Sequence, residues 1–286
     1  GGKYFSLKRG APTGFNPFQL EPTAHNLEFC EKLIGQLIKT AGQDLPLLSA
    51  KEQHEISHAV RTVMSEAVGR EVRCLSLVLQ NLPATGENSV KARLKKWTRG
   101  HPIGWAFDNP VDTQDFSGAS LFGYDYTEFL DDPEIRTPIV AYLLHLTECL
   151  ITGDPFVYFM EEFWKPLQDP MFSEFALNKQ KTIRKQSGLG VFVTQSPSDV
   201  LGHPIGKTMV EQSVTQIFLP NPRADHDDYV HGFKVTESEY RIIKNLGEAS
   251  RMFLVKQGHG SAIVTFDLGS MPDMLNIISG TTENVA

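Results

Sequence analysis

Phe156-Val157-Tyr158-Phe159-Met160-Glu161-Glu162 is the stretch that decides which fold this chain can adopt. A wholly apolar run is what a strand buried on both faces of a sheet requires, and this one stops abruptly at two carboxylates. Such a strand belongs to a parallel sheet with helices on both sides. Ligands in that architecture sit at the carboxyl ends of the strands, which is where Glu161 and Glu162 fall. Two acids there suit nucleoside triphosphate hydrolysis, one holding a hydrated Mg²⁺ and its neighbour orienting the attacking water. A buried strand entering a loop that opens with two solvated acids accounts for the same residues.

Gly190-Val191-Phe192-Val193-Thr194-Gln195 is a second apolar run with a polar end, followed by Pro197 and a helical pattern. If the two strands are neighbours, Gln195 points at the same crevice, where its amide could contact the terminal phosphate or the attacking water. A helix-entry hydrogen bond is the plainer alternative. From Asn109-Pro110 onward, short apolar segments alternate with helical patterns. Strands are predicted at Ser120–Tyr126, Phe156–Met160, Gly190–Thr194 and Gln216–Leu219, and helices at Glu134–Ile151, Pro170–Gln186, Ser198–Val214 and Thr236–Gly247. A final hairpin joins Arg251–Val255 to Ala262–Leu268 through Gly258-His259-Gly260. The alternation predicts an α/β fold with a mainly parallel sheet and an antiparallel edge.

Upstream the texture differs. After a short strand at Lys3–Leu7, the chain reads as mostly helical. Pro22 stands at the first turn of an amphipathic helix bearing Leu27, Cys30, Leu33, Ile34 and Leu37. Ser49 and Glu52 form a capping-box signature for a second helix through Ala67. Shorter helices are expected at Val72–Leu82 and Val90–Thr98. This divides the chain into residues 1–19 (first strand and connection), 20–115 (mostly helical) and 116–286 (carrying the acidic strand end).

The 286 residues are 41% hydrophobic and 21% charged, a globular balance that excludes extended disorder. Net charge is −7, so the surface as a whole does not favour nucleic acid. Cys30, Cys74 and Cys149 show no CxxC spacing and suit a reducing cytosol. No apolar run approaches the roughly 20 residues that span a bilayer. Gly1-Gly2-Lys3-Tyr4 carries neither an initiator Met nor a signal pattern, and both chain ends read as the middle of a longer protein.

Five other stretches invite chemistry. Gly202-His203-Pro204-Ile205-Gly206-Lys207-Thr208 resembles a phosphate loop, but only three residues separate its glycines and it lies inside a helical pattern. His54-Glu55-Ile56-Ser57-His58 matches the HExxH of zinc peptidases, with Glu55 as general base. Arg61 and Met64 stand where the extended form of that motif needs a glycine and a third histidine, so a polar helix face is the better reading. Asp225, His226, Asp227, Asp228 and His231 read as a solvated acidic loop. Lys91, Arg93, Lys95, Lys96 and Arg99 flank Trp97, and Lys179, Lys181, Arg184 and Lys185 form a second run; either could contact DNA or a subunit, though such runs are usually solvated helix faces.

Taken in order, Phe159–Trp164 (FMEEFW), Thr194-Gln195-Ser196-Pro197, Ile217–Pro222 (IFLPNP) and Phe253–Gly258 (FLVKQG) resemble the CagE/TrbE/VirB family. Gly1-Gly2-Lys3-Tyr4, Asn16-Pro17-Phe18 and Met271–Gly280 resemble it too, so the likeness covers nearly the whole chain. These are the large cytoplasmic ATPases of type IV secretion systems. The resemblance implies a RecA-like P-loop NTPase core with an all-helical insertion, working on ATP and Mg²⁺ to power pilus assembly and the transfer of DNA or protein. It implies partners among other secretion components, hexamers, and a cytoplasmic position at the inner membrane face. By the same resemblance Glu161 matches the Mg²⁺-side acid, Glu162 the catalytic glutamate and Gln195 the polar sensor. Arg251 and Lys256 match a late basic motif that reaches the phosphates of its own or a neighbouring subunit. The family usually has aspartate at the first acid, and Glu161 is one methylene longer. The family's phosphate loop falls before Gly1, so this piece is expected to fold but to bind ATP poorly and to be inactive. A zinc peptidase on His54, Glu55 and His58 is the alternative enzyme, and a non-catalytic assembly or DNA-binding module the alternative without chemistry.

Overall fold

A computed structural model of the chain describes residues 2–39, 48–116, 118–151, 153–167, 173 and 183–278. They form an α/β fold that divides into two compact units. One comprises the described residues among 1–158, 165–176 and 183–189, the other those among 159–164 and 190–278.

In the first unit β1 (Gly2–Ser6) pairs in parallel with β2 (Leu121–Asp125), in register from Gly2↔Leu121 to Ser6↔Asp125. Helices α1 (Ala24–Leu37), α2 (Ala50–Val63), α3 (Leu75–Gln80), α4 (Val90–Leu94) and α5 (Gly104–Phe107) lie between these strands in sequence, and α6 (Pro133–Cys149) follows them. Thr23, not Pro22, starts α1: its side chain accepts a hydrogen bond from the Asn26 amide, and proline sits outside the helix. The Ser49–Glu52 capping box of α2 is formed in both directions. The two shorter predicted helices are each split, with 3₁₀ turns at Arg70–Val72 and Lys95–Trp97. Trp97 is a centre of this core, 1% exposed, and its indole N–H donates to Leu37 O at 2.7 Å.

The chain enters and leaves the helical segment through a pair of asparagines. Buried Asn16 donates through Nδ2 to the carbonyls of Arg73 and Asn109, both at 2.8 Å. Asn109 returns the bond to Phe15 O at 3.0 Å. Asp112 accepts from the Asn16 amide at 2.9 Å and from the Tyr142 hydroxyl. On α6, burial pushes the His145 imidazole down to about 4, with nearby His25 adding to it, so the ring is neutral near pH 7.

The second unit carries an antiparallel sheet of β5 (Thr215–Phe218), β6 (Met252–Gln257) and β7 (Gly260–Thr265), in that order. The hairpin turns through Gly258 and His259, and Gly258 takes the left-handed φ of +59° that a two-residue loop needs. The helix Glu237–Asn245 packs on β6 under a complete Thr236–Glu239 capping box. Phe218, Tyr229, Val235, Ile243 and Leu254 form the core beneath.

β3 (Phe156–Glu161) and β4 (Gly188–Val193) pair with each other. Three small sheets therefore stand, among the described residues, where one mainly parallel sheet was expected. The consequence for β3 is direct. It is not buried on both faces: Val157 is 53% and Phe159 70% exposed, in strict alternation with half-buried neighbours. One face is half-buried and the other exposed, as the alternation along a strand requires when only one side is covered among the described residues. The predicted helix Ser198–Val214 is in fact two, Pro197–Leu201 and Gly206–Gln212. Pro204 cannot continue the first, and a Cβ on Gly206 would lie 1.8 Å from Val200 O, so the glycine permits a close backbone approach. Most of the predicted helix Pro170–Gln186, with Lys179 and Lys181, lies outside the described residues; its last residues, Ile183–Gln186, form a 3₁₀ turn.

Candidate functional site

The direction of β4 relative to β3 follows from contacts at their two ends. The Phe156 amide donates to Ser187 O at 3.3 Å, and a Cβ on Gly188 would meet the Phe156 ring. At the far end Phe163 packs on Phe192 with ring centroids 5.1 Å apart. Start lies beside start and end beside end, so the strands run the same way. Glu161, Glu162 and Gln195 consequently leave the pair at one edge.

Glu161 closes β3 and is exposed. Glu162 is half-buried with a φ of +49°, and its carboxylate accepts a hydrogen bond from the indole N–H of Trp164. A left-handed backbone at a non-glycine residue costs on the order of 1–3 kcal/mol and persists only where its surroundings enforce it. Here buried Phe163 anchors the turn on Phe192 and Trp164 holds the side chain. Strand-end reasoning places both acids at the end of β3 but does not foresee the Trp164 contact; its place two residues after Glu162 was the available signal. Beyond β4, Thr194 Oγ1 accepts from the Ser196 amide at 3.0 Å, so threonine shapes the turn and Gln195 stands exposed on it.

The two basic candidates differ. Arg251 is also left-handed, with φ +56°, and meets Asp267 at 3.4 Å with both side chains largely exposed. Lys256 is committed elsewhere: its ammonium lies 2.7 Å from Glu239 Oε2 and 2.9 Å from Lys234 O, with the paired side chains 14% and 7% exposed. It buttresses the capping box of the helix Glu237–Asn245. Among the described residues four non-glycine residues have positive φ, and Glu162 and Arg251 are two of them.

The competing motifs fare less well. His54 and His58 share one face of α2 with ring centroids 6.4 Å apart, while Glu55 lies 3.9 Å from Lys51. Among the described residues three potential ligand atoms converge in two places, His25/His145/Cys149 and His226/Asp227/His231, and neither includes the HExxH residues. The latter group does gather three residues expected to stay apart, on a π-helical turn at Asp227–Gly232, and all three are exposed. Lys207 of the loop-like segment lies 3.9 Å from Glu211 along its own helix. Of the run around Trp97, Lys91 donates to Leu82 O, Arg93 pairs with Glu52, Lys96 with Glu134, and Arg99 donates to Asp108 O. Lys95 is exposed and makes no such contact among the described residues, whereas the other four are engaged within the protein, so the five do not make one free basic face.

Similarity to known proteins runs the length of the chain. The type IV secretion system protein virB4 of Brucella abortus is 48% identical over 295 aligned positions, which take in 99% of this chain and 35% of that protein. The chain belongs to the VirB4 family. PtlC, a type IV secretion system protein of Bordetella pertussis, is 45% identical with 99% and 35% covered, and virB4 of Bartonella quintana 40% identical with 100% and 36% covered. The chain thus spans about a third of the length of the curated VirB4 relatives it matches. No protein-family model matches it. The fold is shared with the solved VirB4 of Thermoanaerobacter pseudethanolicus at a TM-score of 0.70 and 14% identity, over 93% of this chain and 76% of that one. Among the described residues of this VirB4-family chain, no helix is long and apolar enough to cross a membrane.

Proposed function

We propose that this chain is the acid-bearing part of a secretion-system motor that hydrolyses ATP to drive pilus assembly and the transfer of DNA or protein. The observation that carries the reading is that Glu161, Glu162 and Gln195 all lie at or just beyond the same end of a parallel strand pair, in a chain of VirB4 descent. Carboxylate and carboxamide oxygens are the donors a hard divalent ion takes, so the residues fit a Mg²⁺-nucleotide site. Mg²⁺, when bound with ATP, supplies charge neutralisation on the transferred phosphoryl group, with Glu161 holding its water shell.

Glu162 orients the attacking water and accepts its proton, and Trp164 fixes the carboxylate for that task. Gln195 bonds the terminal phosphate or the water and senses its departure. Arg251, exposed and only loosely paired, is the better candidate to reach phosphates of its own or a neighbouring subunit. Lys256 acts behind it, by holding Glu239 and the helix start. The sequence contains no GxxxxGK[ST], so the phosphate cradle is assigned to the part of the longer relatives outside the matched third. This chain by itself then binds ATP weakly and does not turn it over.

The wider reading is a RecA-like core in which residues 20–115 are an insertion between β1 and β2, supported by the bonds from Asn16 to Asn109 O and from Asn109 to Phe15 O at its entry and exit. The intact motor is a cytoplasmic hexamer at the inner membrane face, working with other secretion components. The test is ATP turnover by the full-length protein carrying Glu162→Gln. Turnover should fall by at least about 10²-fold with nucleotide binding retained; unchanged turnover removes Glu162 from the chemistry.

A further inference from the structure

We propose that His25, His145 and Cys149 form a metal site of zinc type that pins the start of α1 to the end of α6. One ligand atom from each lies within 4.8 Å of the other two. His145 and Cys149 are four residues apart on the last turns of α6 and so share a face, while His25 comes from the first turn of α1. Cys149 Sγ is 3.7 Å from His145 Nε2. With about 2.3 Å from zinc to sulfur and about 2.0–2.1 Å to nitrogen, a tetrahedral site sets its sulfur and nitrogen ligands about 3.5 Å apart. The pair is already at that spacing.

Oxygen donors complete the set. Asn26 Nδ2 donates to Glu21 O at 2.9 Å, which turns Asn26 Oδ1 toward His145 Nε2 at 2.8 Å and Cys149 Sγ at 3.6 Å. Glu148 Oε2 lies 3.7 Å from His25 Nε2. One thiolate, two imidazoles and an oxygen make a borderline-soft donor set that suits Zn²⁺ and disfavours Mg²⁺ or Ca²⁺. His145 is buried and stacked on Phe29 with ring centroids 3.9 Å apart, so its orientation is set by the core before any ion arrives. His25 and Cys149 are exposed, which leaves an entry path from water. On binding, the Cys149 thiol proton passes to solvent and the thiolate bonds the metal. The role is structural: the ion ties together two helix ends that otherwise meet through hydrogen bonds and ring stacking.

The test uses the whole chain, stripped of metal and titrated with Co²⁺ as a spectroscopic stand-in. The expected result is one equivalent bound with tetrahedral d–d bands and a thiolate-to-cobalt charge-transfer band, displaced by Zn²⁺, and a melting temperature raised by Zn²⁺. Because His145 is buried and its replacement could unfold the chain, the exposed ligands decide. Cys149→Ser should abolish the thiolate band and weaken Zn²⁺ binding by at least about tenfold, the lower end of what losing even an outer partner costs. His25→Ala should weaken it similarly, and Cys30→Ser with Cys74→Ser should leave the band intact. A wild-type chain without the thiolate band, or a band that survives Cys149→Ser, overturns the site. Cobalt bound only through nitrogen and oxygen would point to His226, Asp227 and His231 and overturns it equally.

Discussion

Lys256 and Glu239 show how one contact can redirect the meaning of a motif residue. Burial pulls the Glu239 carboxyl upward, but the Lys256 ammonium and the Thr236 amide outweigh it and hold the carboxyl below the usual range. An acid whose pKa is lowered by folding contributes stability that is present above its unfolded value, about 4.3, and is lost as pH falls through the lower folded value. Lys256→Met should therefore destabilise the chain by about 1.5–3 kcal/mol near neutral pH, the worth of a hydrogen bond to a charged group. The gap to wild type should close as the pH drops below about 4. Urea titrations of both proteins at several pH values would check this, and a pH-independent gap would refute the ion-pair role. The sequence displayed Lys256 inside a recognisable motif. It could not display that the ammonium is committed to a residue seventeen positions earlier, on another element.

At the scale of elements, local signals were dependable where a bond closes within one turn. The capping boxes at Ser49–Glu52 and Thr236–Glu239 formed because donor and acceptor sit three residues apart, whatever surrounds them. The break at Gly202–Gly206 was less legible, since the need for Gly206 lies in the approach of Val200 O. The asparagine latch was invisible, because its two halves are 93 residues apart. That difference carries a prediction. Asn16→Ala leaves the buried Asn109 carbonyl without this donor and the Arg73 carbonyl with only the longer bond from Gln19 Nε2 at 3.5 Å, and should cost roughly 2–3 kcal/mol, whereas Ser49→Ala should cost only about 1 kcal/mol. Denaturation midpoints of the two variants would rank them, and equal shifts would remove the latch from the stability of the helical segment.

For the whole molecule, the exposed apolar residues matter most. Val157 and Phe159 project from one face of β3, and Ile217, Leu219 and Phe266 are also more than half exposed. Apolar surface of this kind drives association. The isolated chain should self-associate with rising concentration, more strongly in salt, which screens its net charge of −7. Val157→Lys with Phe159→Lys should reduce that association in light-scattering or sedimentation measurements; a chain monomeric throughout, or indifferent to the substitutions, would count against it. The sequence by itself determined the α/β class, the helical stretch before Asn109, the closing hairpin and the acids at the end of β3. It did so because hydrophobic period, capping and turn chemistry act over a few residues. Tertiary structure alone decided that β3 buries only one face, that β4 runs alongside it and brings Gln195 to the acid-bearing edge, and that Lys256 turns to Glu239. Those outcomes depend on which distant segments meet, and the pairing of distant segments is set by packing that no local pattern encodes.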